Sequence, residues 1–176
     1  SFGLDALGAT KNDGQFPGGQ YQAWLAQLQY VRRFEFLATE LVLRTDAQIP
    51  SRPLLPLEQF AMGGFATVRG YRENELVRDK GYVGSIEARV PVFRTADSRF
   101  VLQIAPFFDI GQAWNMSFPT PSPNFIASVG VGLRANFFPW VQAEIYYGYR
   151  LRQVPIPSER SLQDDGVTFS VTVLPF

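Results

Sequence analysis

Apolar residues recur at every second position over segments of about ten residues, which is the span of a tilted membrane strand. The clearest segment runs from Phe125 to Phe137. Phe125, Ala127, Val129, Val131, Leu133, Ala135 and Phe137 share one face, and Ser128, Gly130, Gly132, Arg134 and Asn136 the other. In Val141–Arg152, Val141, Ala143, Ile145, Tyr147, Tyr149 and Leu151 oppose Gln142, Glu144, Tyr146, Gly148, Arg150 and Arg152. Ile86, Ala88, Val90 and Val92 oppose Ser85, Glu87 and Arg89; Phe100, Leu102, Ile104, Phe108 and Ile110 oppose Gln103, Asp109 and Gly111. Leu37, Thr39, Leu41 and Leu43 oppose Glu40, Arg44 and Asp46; Trp24, Ala26, Leu28 and Tyr30 oppose Gln27 and Gln29. Val167, Phe169, Val171 and Val173 oppose Thr168, Ser170 and Thr172. With a partial strand at Phe2–Thr10 the count is eight. Apolar residues do not recur at helical three-four spacing, and β-branched and aromatic residues dominate.

The connections alternate in length. Long ones fall near 10–21, 46–80, 115–124 and 153–165, and short ones near Arg32-Arg33, 94–98 and Phe138-Pro139. Outer-membrane barrels have this asymmetry, with apolar side chains toward lipid and small or polar ones toward the lumen. Trp24, Trp114, Trp140, Tyr30 and Tyr149 lie near predicted strand ends, where an aromatic girdle belongs. The fold expected is therefore an all-β, antiparallel transmembrane β-barrel.

Composition narrows the function. The 176 residues carry 16 basic and 16 acidic side chains, so no basic surface for nucleic acid is expected. There is no Cys and no His. This excludes a disulfide framework, thiolate metal sites and a Ser-His-Asp triad. No apolar run is long enough for a transmembrane helix. No signal peptide is visible at Ser1, and the chain reads as part of something longer. Neither cofactor nor metal is expected. Asp13, Asp164 and Asp165 fit no calcium-loop spacing, and solvated loop charge is the default reading for them. Glu87 and Asp109 as a glycosidase pair are disfavoured by nearby arginine and by the lack of lumen aromatics for a sugar.

The long segment 46–80 contains Gly63-Gly64 and Val68-Arg69-Gly70-Tyr71, followed by Gly84-Ser85-Ile86-Glu87 and, further on, Phe107-Phe108-Asp109-Ile110-Gly111. In this order and spacing the motifs resemble the C-terminal barrel of the Omp85 superfamily. Within it the chain is most similar to the two-partner-secretion transporters (TpsB, haemolysin-activator type). The resemblance covers essentially the whole chain. It implies strands 9–16 of a 16-stranded barrel over residues 1–176, with the periplasmic POTRA domains absent. It also implies that the 46–80 loop folds into the lumen as a plug or gate, where Arg69 meets Glu87 and Asp109 on the wall. The alternation puts both carboxylates on the lumen face independently. A planar guanidinium suits such pairing, Gly63, Gly64 and Gly70 permit tight turns, and Tyr71 packs on the wall with its hydroxyl bonded. Phe169, Val171, Val173 and Phe176 resemble the C-terminal signal read by the barrel-assembly machinery, although Pro175 intervenes and Phe176 is out of phase.

The function implied is secretion of an unfolded partner protein across the outer membrane of a Gram-negative-type bacterium, without enzymatic activity and in contact with outer-membrane lipid. Two alternatives stay open: an outer-membrane insertase of the same superfamily, and a free-standing small barrel of structural or adhesive role. A half barrel leaves two unpaired edges. Taken alone, this fragment is expected to self-associate edge to edge, close at smaller radius, or aggregate.

Overall fold

The computed structural model describes residues 21–137, 139–155 and 161–174. Nine strands occur among them: β1 (Ala23–Arg33), β2 (Glu40–Pro50), β3 (Phe60–Met62), β4 (Leu76–Arg78), β5 (Lys80–Arg94), β6 (Phe100–Trp114), β7 (Phe125–Phe137), β8 (Val141–Arg150) and β9 (Val167–Val173). Seven form one antiparallel sheet in the order β1-β2-β5-β6-β7-β8-β9, and β3 and β4 form a separate hairpin. The expected strand at Phe2–Thr10 and the terminal Phe176 lie outside the described residues.

Register explains why the alternation matters. Partnered residues align Gln29, Arg44, Ser85, Asp109, Ser128 and Arg150 in one row across six strands. One residue along each strand, the row is Tyr30, Leu43, Ile86, Phe108, Val129 and Tyr149. A slip by one residue would exchange these rows, so the sequence pattern specifies the pairing. The apolar row stays exposed: on this outer face Trp24 is 81% exposed and Phe169 67%. In water such a surface would be an aggregation site; in a bilayer it is the lipid contact. Trp24, Trp114 and Tyr149 stand at the strand ends nearest the long connections, and Tyr30 and Trp140 toward the short turns, as a pair of girdles requires.

Several boundaries differ from the sequence expectation. Arg32 and Arg33 continue β1, and the turn follows at residues 34–39, where Leu37 and Ala38 take positive φ of 51° and 47°. Leu37 and Thr39 thus belong to the turn and not to a strand face. β2 continues to Pro50 and β5 begins at Lys80, which shortens the 46–80 loop to residues 51–79. That loop is itself folded around the β3–β4 hairpin. The last long connection spans residues 151–166, so Leu151 and Arg152 lie beyond β8. Pro91, which has no N–H for the ladder, marks a register shift between Pro91 and Phe93 that takes Val92 out of the alternation.

The 51–79 loop covers the β5–β8 side of the inner face. Met62, Val68, Tyr71 and Leu76 of the loop pack on Val83, Ala113, Ile126 and Val154. A second cluster unites Ala105, Phe107 and Tyr146 with Phe65 of the loop. The apolar core thus lies between loop and wall, and it fixes where the loop tip sits.

Candidate functional site: a loop arginine docked on the barrel wall

Arg69 sits at the tip of the loop and is 3% exposed. Ser85 on β5 and Asp109 on β6 are register partners, and Glu87 lies two residues along β5, so all three project from the inner face beneath the tip. Arg69 Nε donates to Asp109 Oδ2 at 2.8 Å and Nη2 donates to Oδ1 at 2.8 Å, a bidentate pair. Its backbone N–H donates to the same Oδ2 at 3.0 Å. Nη1 donates to Glu87 Oε2, and Nη2 also donates to Ser85 Oγ at 3.1 Å. Ser85 Oγ donates in turn to Asp109 Oδ1 at 2.6 Å. Four of the five N–H donors of the fork meet acceptors placed for its planar geometry, which an ammonium could not match.

The guanidinium also touches two rings, which meet it from adjacent sides. Its carbon lies 3.7 Å from the Phe107 centroid and 4.7 Å from that of Tyr146. Each cation–π contact contributes about 0.5–2 kcal/mol, toward the upper end when desolvated. These two rings correct the expectation that the inner face lacks aromatics. The sequence signal was the pair Phe107-Phe108: in a period of two, adjacent aromatics face opposite ways, so one must point inward. The rings are held by Arg69 and by each other, with Phe107 and Tyr146 centroids 5.7 Å apart, and they form no open sugar platform.

The rest of the motif secures the tip. Val68 enters the apolar cluster beside Met62, above Gly111, where a Cβ would meet Met62 Sδ at 2.7 Å. Gly70 has φ of 91° and packs backbone to backbone on Gly148, so that a Cβ on Gly148 would lie 2.8 Å from Gly70 Cα. The Tyr71 hydroxyl, fully buried, donates toward the carbonyls of Ala127 and Arg152, each at 2.8 Å, and accepts from the Arg152 N–H at 3.2 Å. Gly63 and Gly64 both have positive φ at the turn that precedes the motif. Thr67 closes that turn, its hydroxyl accepting from the Gly63 N–H at 2.8 Å.

A wider network was not legible in the motifs. Arg89 bonds Glu87 Oε1 at 2.7 Å and Glu40 at 3.2 Å. Arg134 bonds Glu144, its register partner across β7–β8, at 2.7 Å, and donates to the Tyr146 hydroxyl at 2.7 Å. Arg150 donates to the Gly70 carbonyl at 2.5 Å and to that of Gln163 at 2.8 Å. Arg72 makes a bidentate pair with Asp164, both bonds at 2.5 Å. Asp164 is therefore a buried clasp and not the solvated loop charge expected. The Arg72 guanidinium holds the Asp164 carboxyl well below the usual carboxylate range, with the Ser161 N–H adding to the effect and burial opposing it. Asp79, also buried, accepts N–H bonds from Leu54, Gln59 and Met116 and so ties the 51–79 loop to the 115–124 connection.

Chemically the site is a set of ion pairs that joins the loop to the sheet. Both carboxylates of the notional glycosidase pair are bound by arginine, and no group of three His, Cys, Asp or Glu placed for a metal occurs among the described residues. The loop covers the β5–β8 side of the inner face. Between it and β1–β2 runs a groove of about 580 Å³ and mixed polarity, where Gln27, Gln29, Arg44 and Asp46 face Ala66 and Thr67, with Phe60 and Val83 also lining it. Phe169, Val171 and Val173 stand on the outer face of β9, all exposed.

Compared with known families, residues 1–135 of the 176 match the family described as "Haemolysin secretion/activation protein ShlB/FhaC/HecB". No curated protein matches the chain.

Proposed function

The chain belongs to the haemolysin secretion/activation family ShlB/FhaC/HecB, outer-membrane β-barrel transporters that secrete a partner protein, and from this we propose that its 51–79 loop is the gate of the secretion path. Docked through Arg69, the loop occupies the lumen; displaced, it frees the width an unfolded partner requires. The chain works without catalysis, and its client, the surrounding lipid and the machinery that assembles the barrel are its partners.

The observation that carries this reading is the bidentate pair between Arg69 and Asp109, 40 residues apart in sequence, at a buried contact with Glu87 alongside. A buried ion pair is costly to break from one side, by about 3–5 kcal/mol, because the remaining charge is left uncompensated. Pairing that costly, on a loop tip and not within the sheet, biases one segment between two positions. The driving force for export is not nucleotide hydrolysis in this reading; folding of the partner outside draws it through.

The test is single-channel conductance in planar bilayers with the full-length protein. Arg69→Ala is expected to shift the channel strongly toward open events, and Arg69→Lys to fall between, since it keeps charge but loses the fork. Heat-dependent gel mobility confirms that each variant is a folded barrel. Unchanged conductance in folded Arg69→Ala would refute the gate.

A further inference from the structure

Lys80 is the sole lysine among the described residues, and its ammonium has no carboxylate partner among them. The acidic residue beside it in sequence, Asp79, is turned inward and committed to three N–H donors. Lys80 opens β5 on the outer face opposite Trp114. One step down that face, Tyr82 stands opposite Ala47 of β2. Tyr82 and Trp114 pack with ring centroids 5.9 Å apart and planes tilted 49°. Ala47 is too small to fill the space between Tyr82 and Ile49, which leaves a mostly apolar groove of about 430 Å³ with Lys80 at its rim.

We propose that this groove binds one anionic membrane lipid, its acyl chain between Ile49 and the Tyr82–Trp114 pair and its headgroup phosphate at Lys80. The height is right for it. Ile49 is the register partner of Trp24, so the groove lies in the aromatic girdle, where headgroups meet hydrocarbon. The lysine stem can lie along apolar surface while its ammonium reaches the headgroup layer. Among the described residues the ammonium has no carboxylate partner, and a lysine at a membrane surface gains about 1 kcal/mol from anionic lipid, roughly fivefold. Charge complementarity therefore selects an anionic lipid over a second protein copy. The inference uses the outer-membrane placement of the barrel and not the gating role of the loop, so either can fail alone.

The experiment reconstitutes the full-length protein in nanodiscs of phosphatidylcholine with a minor fraction of phosphatidylglycerol, and native mass spectrometry counts the lipids retained. Wild type is expected to keep one phosphatidylglycerol with about fivefold preference, and Lys80→Gln to lose the preference. Ala47→Phe fills the groove while keeping the charge and is expected to lose the retained lipid. Both changes lie on the outer face, and heat-dependent mobility verifies folding. The proposal is overturned if folded Lys80→Gln keeps the wild-type preference or if wild type shows none. It is equally overturned if wild type is a dimer through this groove, one that Ala47→Phe splits.

Discussion

Arg69 is legible from the sequence in one respect and hidden in another. Alternation puts Glu87 and Asp109 on a single face, and register then joins Ser85 to Asp109 beneath the same guanidinium. Alternation sets Tyr146 on the inner row, but the contact of both rings with the guanidinium was hidden, because the pattern assigns Phe108 to the outer row and leaves Phe107 unplaced. Gly148 illustrates a second kind of silence. In the pattern it is one more small residue on the inner face, yet its lack of a side chain admits the Gly70 backbone. Gly148→Ala is expected to undock the tip, seen as faster proteolysis of the 51–79 loop in a barrel that still runs as folded. Cleavage at the wild-type rate would show that the backbone contact does not hold the tip. Asp164 supplies a pH test. Its carboxyl is depressed by Arg72, so the clasp contributes stability above the ordinary carboxylate range, near pH 4, and loses it as pH falls through the lower folded value. Hydrogen-exchange protection in the 151–166 connection, taken relative to the intrinsic exchange rate at each pH, is therefore expected to stay flat from neutral pH to about 4 and to fall only below it. Asp164→Asn is expected to start with low protection and remain so. A loss of protection beginning well above pH 4 would contradict the clasp.

Strands were the readable elements and connections were not. Period two survives in each long strand because the outer face is apolar, while the inner face meets the loop on β5–β8 and an open groove on β1–β2. Boundaries drifted where that contrast fades. β2 continues through Ala47, Gln48, Ile49 and Pro50 into what reads as a polar loop, and β5 starts at Lys80 because its outer face there is interfacial and not apolar. The β3–β4 hairpin is three residues a side, too short for alternation to register. Long-range ties between connections leave no periodic trace at all. Arg72 and Asp164 are 92 positions apart in two irregular segments. The three N–H donors that hold Asp79 come from residues 54, 59 and 116 and likewise leave no pattern. By contrast, Arg134 and Glu144 were within reach: the turn after Phe137 sets the β7–β8 register, and the two then fall opposite each other.

At the scale of the molecule, the described sheet ends at β1 on one side and β9 on the other, and its outer face is apolar. Both facts fit a chain that contributes an arc to a transmembrane barrel. Within that arc the loop leaves a groove on the β1–β2 side, and a loop that gates must leave its position for a partner protein to pass. The absence of cysteine from the chain allows a direct test. Ala66→Cys on the loop and Gln29→Cys on β1 face the same groove and can be joined by a reducible bifunctional maleimide in the full-length transporter. If the loop is the gate, joined transporters stop secreting the partner protein, and reduction restores secretion to the level of the unjoined variant. Secretion at full rate with the loop tethered to the wall would contradict the account.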